Sequence, residues 1–149
     1  MPHDSANAAT FADRLRHWEQ RLRSIADPQA RFGHLVEHAR RQPPLPESLR
    51  LDSFRVQGCQ VRLWLVPEFH DGRCRYRTDS DAVTLKAFVG LLCELASDLP
   101  PAEAAQVDGQ LLEDLGLLRQ LAESRRATIL RVAEQIRDFA LRHGPEPPP

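Results

Sequence analysis

Apolar positions recur at two different periods along the chain, and the switches between them divide it into three stretches. Phe11, Leu15, Trp18, Leu22 and Ile25 fall on one helical stripe, preceded by Thr10 with Asp13 three residues on, the spacing of a capping box. Asp27-Pro28 then reads as the N-cap and first residue of a second helix, with Phe32, Leu35, Val36 and Ala39 inward and Pro43-Pro44 as its stop. The Pro-rich link up to Pro46 reads as a loop.

From Ser53 the period changes to 2. Phe54 and Val56 alternate with Arg55 and Gln57, and beyond Gly58-Cys59-Gln60 the residues Val61, Leu63 and Leu65 alternate with Arg62 and Trp64. Two strand segments flanking a glycine-containing turn are the expectation. A further strand places Cys74, Tyr76 and Thr78 on one face and Arg73, Arg75 and Arg77 on the other, with Asp71-Gly72 as the turn before it. The pattern predicts a small antiparallel sheet of about three strands, one face packed and one wet.

Helical periodicity then returns. Thr78-Asp79-Ser80-Asp81 offers capping oxygens to a helix with Ala82, Leu85, Phe88, Val89, Leu92 and Ala96 on a broad apolar stripe. Pro100-Pro101 opens a short helix, residues 111–118 read as another, and Ser124 reads as the cap of a long last helix carrying Ile129, Val132, Ala133, Ile136 and Ala140. The order predicts an α+β fold with helices covering one face of the sheet. One domain is expected over residues 10–143, with residues 1–9 and the Pro-rich 144–149 loose.

Composition acts mainly by exclusion. A chain of 149 residues has room for a single core. Twenty basic residues against 21 acidic ones lack the excess that a phosphate-backbone binder carries, so nucleic acid is not an expected partner. The longest mainly apolar stretch, 87–96, contains Glu94 and falls short of the ~18 residues that cross a bilayer. The opening Met-Pro-His-Asp-Ser has neither a basic nor an apolar signal region, and the cytoplasm is the expected compartment.

Candidate chemistry concentrates at a cysteine. Cys59, Cys74 and Cys93 form no CxxC pair, so a reactive thiol is worth seeking rather than a disulfide framework. Cys59 stands where the strand alternation breaks at Gly58, on a bend carried by the sheet, and glycine permits backbone angles and close approaches that other residues forbid. Arg55 and Arg62 lie near it in sequence, and cations beside a thiol favour the thiolate, the form that attacks another sulfur. A small buried residue filling a bend would show the same spacing.

Several segments together resemble the SufE family of sulfur acceptors in iron–sulfur cluster biogenesis, over roughly residues 20–140. Gln57-Gly58-Cys59-Gln60 with Trp64 downstream is similar to the family's GCQS segment and its tryptophan. Asp79-Ser80-Asp81 followed by Lys86 resembles the start of its central helix, and Leu121-Ala122-Glu123-Ser124-Arg125 resembles the Leu-x-x-Ser-Arg that begins its last helix. The sequence departs from the pattern at Val61, where Ser is usual, at Ala87, where Gly is frequent, and at Arg126-Ala127-Thr128. The resemblance implies an α+β fold of SufE/IscU type and a persulfide relay. Cys59 would take sulfane sulfur from a pyridoxal-phosphate-dependent cysteine desulfurase (SufS- or CsdA-like), stimulate it, and pass the sulfur to a cluster scaffold complex (SufBCD-like). Pyridoxal phosphate would belong to the desulfurase, and this chain would bind no cofactor or metal. Gly58 would shape the loop and Gln60 hold it by amide hydrogen bonds, while Asp81 and Arg125 would pin the loop or meet the desulfurase.

Three other readings use the same residues. A metal or cluster scaffold of the same fold would draw on Cys59, Cys74, Cys93 and histidines such as the i,i+4 pair His34 and His38, although Cys74 and Cys93 read as core thiols and the histidines as solvated. A thiol hydrolase would pair Cys59 with a distant histidine. A binding module would activate the desulfurase without carrying sulfur.

Overall fold

The structure is a computed structural model that describes residues 9–119 and 121–144; the loose ends expected at 1–8 and 145–149 lie outside the described residues. Helix α1 spans Phe11–Arg23, and its N-terminus is the capping box read from the sequence: Asp13 N–H donates to Thr10 Oγ1 and Thr10 N–H to Asp13 Oδ2. Helix α2, Pro28–Arg40, starts with the Asp27 carboxylate accepting from Ala30 N–H at 3.0 Å. Strands β1, Leu63–His70, and β2, Arg73–Ser80, pair antiparallel from Leu63 opposite Ser80 to His70 opposite Arg73. Asp71 at φ 53° and Gly72 at φ 76° join them in the two-residue turn whose twist matches the strands. Helices α3, Val83–Ala96, α4, Pro101–Ala104, α5, Gln110–Asp114, and α6, Glu123–His143, complete the chain.

Mixed helices and a small antiparallel sheet are the α+β class expected, with two strands rather than about three. The segment read as the first strand folds as a 3₁₀ turn, Asp52–Phe54, followed by a single bridge between Arg55 and Trp64. The alternation of Phe54 and Val56 is genuine, but only one residue pair reaches β1 before the chain turns away.

The central helix α3 lies against the sheet with Leu85, Phe88, Val89 and Leu92 sealed from solvent, and the long α6 adds Ile129, Val132 and Ile136 to the same core. Tyr76 on the packed face of β2 donates its phenol hydrogen to Ile136 C=O of α6 at 2.8 Å, which satisfies the one polar group of that side chain in the core. The opposite face is wet only toward the hairpin tip, where Arg73, Arg75 and Arg77 are exposed. At its other end Trp64 and Val66 are covered by the segment from Leu45 to Phe54, forming a second small cluster. The stretch beyond Pro44 is therefore a strap over the sheet rather than a simple loop.

Three boundaries differ from the periodicity. Thr78-Asp79-Ser80 belongs to β2 rather than to a helix cap, and α3 begins at Val83 with no side-chain cap. Helix α5 stops at Asp114 because Gly116 turns left-handed at φ 74°. The last helix begins one residue before Ser124, with Ala122 at the cap position. Among the described residues no helix is long and apolar enough to cross a membrane.

Candidate functional site

The Gly58-Cys59 segment sits in a loop from Gln57 to Arg62 closed at its base by Val56 N–H donating to Leu63 C=O at 2.9 Å and by the Arg55–Trp64 bridge. Gly58 is at φ 78°, in the left-handed region. A second constraint acts on it from α6: a Cβ there would lie 2.8 Å from Nη1 of Arg131, and that same nitrogen donates to Gln57 C=O at 2.7 Å. The backbone angle favours glycine, and a side chain there would also displace the guanidinium that braces the loop. Arg131 carries no sequence signal beyond its place on the polar side of α6, which is why sequence reasoning missed it.

The far side of the loop is tied to the junction of β2 and α3. Asp81 N–H and Ser80 Oγ both donate to Arg62 C=O, at 3.1 and 2.7 Å, and the Arg62 guanidinium meets the Asp81 carboxylate with Nε to Oδ2 at 2.7 Å. The Asp81 carboxylate is thus tied to the loop through Arg62. Arg125 is half-buried in the first turn of α6, and among the described residues its side chain has no hydrogen bond or ion pair. Gln60 is exposed and, among the described residues, holds nothing through its amide. The amide that does act in the loop is Gln57, whose Nε2 donates to Arg55 C=O at 3.4 Å.

Between these braces Cys59 is half-buried, its side chain leaning on the core cluster, and it is a free thiol. The other two cysteines are different. Cys74 is 0% and Cys93 4% exposed. Burial pushes both thiols up from their ordinary range, Cys93 most strongly, so both remain neutral thiols near neutral pH. Of the three cysteines, Cys59 alone is partly exposed.

Behind the loop is a polar knot that the sequence did not disclose. Asp79 is 3% exposed, and its carboxylate accepts from Leu45 N–H at 3.1 Å, Ser80 N–H at 2.8 Å and Arg50 Nη2 at 2.5 Å, with Lys86 Nζ 3.6 Å away. A buried carboxylate needs this degree of satisfaction to stay in the fold. Arg50 and Arg62 both lie over the Trp64 ring, at 4.9 and 5.2 Å, so the strap, the loop and the start of α3 are joined through one indole. Trp64 is packing, 3% exposed, and among the described residues its Nε1 has no hydrogen-bond partner.

His34 and His38 are not solvated as a pair on a bare face. They pack edgewise on Trp18, with His34 3.0 Å from Arg21 Nη2 and His38 Nε2 2.6 Å from Glu94 Oε2. Among the described residues no three His, Cys, Asp or Glu side chains are grouped to hold a metal ion.

Residues 16–140 match the family model of SufE, described as an Fe-S metabolism associated domain, and the chain belongs to that family. It is 29% identical over 117 residues to an uncharacterized SufE-like protein of Synechocystis, covering 78% of this chain and 74% of that one. It is 28% identical over 132 residues to the sulfur acceptor protein CsdE of Escherichia coli, covering 85% and 80%. Plant relatives are longer, and the chain spans 45% of the chloroplastic SufE-like protein 2 of Arabidopsis thaliana. The solution structure of a hypothetical protein from Thermus thermophilus superposes with a TM-score of 0.72 at 23% identity over 87% of this chain and 95% of that one, a likeness of fold.

Proposed function

We propose that the protein is a sulfur acceptor of iron–sulfur metabolism, with Cys59 as the atom that receives sulfur from a cysteine desulfurase and hands it to a cluster-assembly scaffold. The observation that carries this reading is the contrast among the three thiols: Cys59 is half-buried on a braced surface loop, whereas Cys74 and Cys93 are sealed in the core. Family membership and the sulfur acceptor among the relatives support it.

The transfer is a thiol exchange. The Cys59 thiolate attacks the outer sulfur of the desulfurase persulfide, a new S–S bond forms on Cys59, and the old one breaks with the desulfurase cysteine leaving as thiolate. The sulfane sulfur keeps its oxidation state, so no reductant or cofactor is needed for this step. A second thiol exchange at the scaffold would release it. Pyridoxal phosphate serves the desulfurase, which forms its own persulfide from cysteine.

This chain contributes presentation and shelter. Gly58 permits the bend, Arg131 and Asp81 hold its two ends, and the core against which Cys59 leans shields a bound sulfur from soluble reductants until the loop is displaced. A scaffold that gathers all three cysteines would have to dismantle the core that holds Cys74 and Cys93.

The test is cysteine turnover by a SufS- or CsdA-like desulfurase with and without this protein. Wild-type protein is expected to raise the rate and Cys59→Ser to give none of that increase. Equal stimulation by Cys59→Ser would replace the acceptor with a module that activates by binding alone.

A further inference from the structure

Along the outer edge of β2, among the described residues, Thr78 is the outward-facing residue with neither backbone group taken by a protein partner. Tyr76 stands opposite Pro67, which has no N–H, and its own N–H donates outward to Ser97 Oγ at 2.9 Å. Alternate residues of a strand aim their backbone groups the same way, so Cys74, Thr78 and Ser80 face outward with it. Cys74 N–H donates to Leu99 C=O and its own C=O accepts from Asp98 N–H, at 2.8 and 2.7 Å. Ser97 Oγ donates to Tyr76 C=O at 3.2 Å, and Ser80 N–H is taken by Asp79. Thr78 N–H and C=O have no protein partner among the described residues.

Thr78 and Ser97 both line a groove of about 360 Å³ that runs along this edge. Ala39, Pro44 and Leu45 form one wall, and Ala87, Gly90 and Leu91 of α3 the other. Gly90 is at the middle of α3, where glycine weakens a helix by about 1 kcal/mol relative to alanine. A Cβ there would meet nothing within 4 Å, so neither packing nor backbone angle asks for glycine; its effect is to keep that wall of the groove clear. Charge marks one end. Asp79 already has Arg50 at 2.5 Å, and Lys86, whose side chain is 25% exposed, brings a second cation to the same carboxylate. Arg50 also faces Glu47 at 3.9 Å, so Lys86 is the partly exposed cation of this group that lines the groove.

We propose that this groove takes an extended segment of a partner protein, one residue of which completes the β2 edge at Thr78 while a neighbouring carboxylate meets Lys86. A lone donor and acceptor in strand geometry are complemented by the backbone of an extended peptide, and the apolar walls accept its side chains. From Lys86 to Glu94 is two turns of α3, about 12 Å, the reach of three to four extended residues. The footprint is therefore short and the affinity modest. This inference does not depend on sulfur transfer at Cys59.

The test pans a displayed library of random heptapeptides on the full chain, with Gly90→Leu as the counter-selection, and titrates the enriched peptide by NMR. A Cβ at Gly90 meets nothing within 4 Å, so Gly90→Leu can send its side chain into the groove, and a melting curve equal to or above wild type confirms that it folds. Enriched sequences are expected to carry an acidic residue among apolar ones and to shift the Thr78 amide. Binding should fall at least tenfold in Gly90→Leu and severalfold in Lys86→Gln or with the peptide N-methylated at its central bond. Absence of enrichment, basic sequences, binding indifferent to Gly90→Leu and Lys86→Gln, or shifts confined to another face would each overturn the proposal. So would sedimentation showing a wild-type dimer that Gly90→Leu converts to monomer, since the occupant would then be a second copy.

Discussion

The two ends of β1 each carry a glycine at positive φ with a cysteine close by, and the two cysteines have opposite fates. At the hairpin tip, Gly72 is two residues before Cys74, and nothing lies within 4 Å of where its Cβ would be. At the other end Gly58 directly precedes Cys59 and is pressed by Arg131. Cys74 enters the strand ladder at once, with its N–H and C=O taken by the 98–99 segment and its sulfur in the core. Cys59 stays outside any ladder, in a loop whose backbone is held by side chains reaching from α6 and from the start of α3. The bare turn is maintained by local geometry, whereas the braced loop is maintained by partners that can let go.

Thiol accessibility gives the largest expected difference. In native protein Cys59 should alkylate with iodoacetamide at least ~10³-fold faster than Cys74 or Cys93, because the latter require opening of a core that is stable by several kcal/mol. Comparable rates at Cys74, read peptide by peptide, would erase the contrast between the two ends.

Alanine at the two glycines sharpens it. Gly72→Ala should destabilise by about 1 kcal/mol, the penalty of a left-handed non-glycine residue. Gly58→Ala should cost about 2 kcal/mol, because it adds loss of the Arg131 bond to Gln57. In an Arg131→Ala background the Gly58 penalty should fall to that of Gly72, as measured by denaturant midpoints; an unchanged penalty would show that Arg131 braces nothing.

Alkaline pH separates the core thiols from the rest. Cys74 and Cys93 are raised by burial, so the stability linked to their protonated form is whole below the unfolded thiol value near 9.0 and is lost as pH rises beyond it. Cys93 alone should contribute a loss of about 1.4 kcal/mol per pH unit once the unfolded thiol is ionised. Denaturation at stepped pH should show a shallower fall in Cys93→Ala than in wild type.

A smaller effect concerns the brace itself. Arg131→Ala should raise Cys59 alkylation about fivefold, the factor equivalent to ~1 kcal/mol of lost bracing. Arg73, which donates to Asp98 C=O at 2.7 Å beside the hairpin tip, is the matched control: Arg73→Ala should leave Cys74 as slow as before.

Much of this was legible where the physics is local. The Thr10–Asp13 box, the Asp27-Pro28 start, the Asp71-Gly72 turn and the α6 stripe depend on neighbours within a few residues, and each stands as read. The family motif around Cys59 was legible too, because it is contiguous. What escaped depends on distant partners. Asp79 reads as a helix-start oxygen until Arg50, 29 residues earlier, arrives to claim it. Trp64 alternates onto a face that should be wet until the strap covers it. Arg131 is one polar helical residue among many until the loop, 74 residues earlier, is brought against it. Asp81 was expected to pin the loop or meet the desulfurase, and the Arg62 partner that holds its carboxylate is legible only once the loop and the start of α3 are brought together.

The most direct measurement is site mapping of transferred sulfur. The protein is incubated with a cysteine desulfurase and cysteine, free thiols are blocked without reductant, and each cysteine-containing peptide is weighed. One added sulfur atom is expected on the peptide containing Cys59 and none on those containing Cys74 or Cys93. Sulfur on Cys74 or Cys93 with Cys59 unmodified, or none on any of the three with active SufS- and CsdA-like desulfurases, would contradict Cys59 as the acceptor.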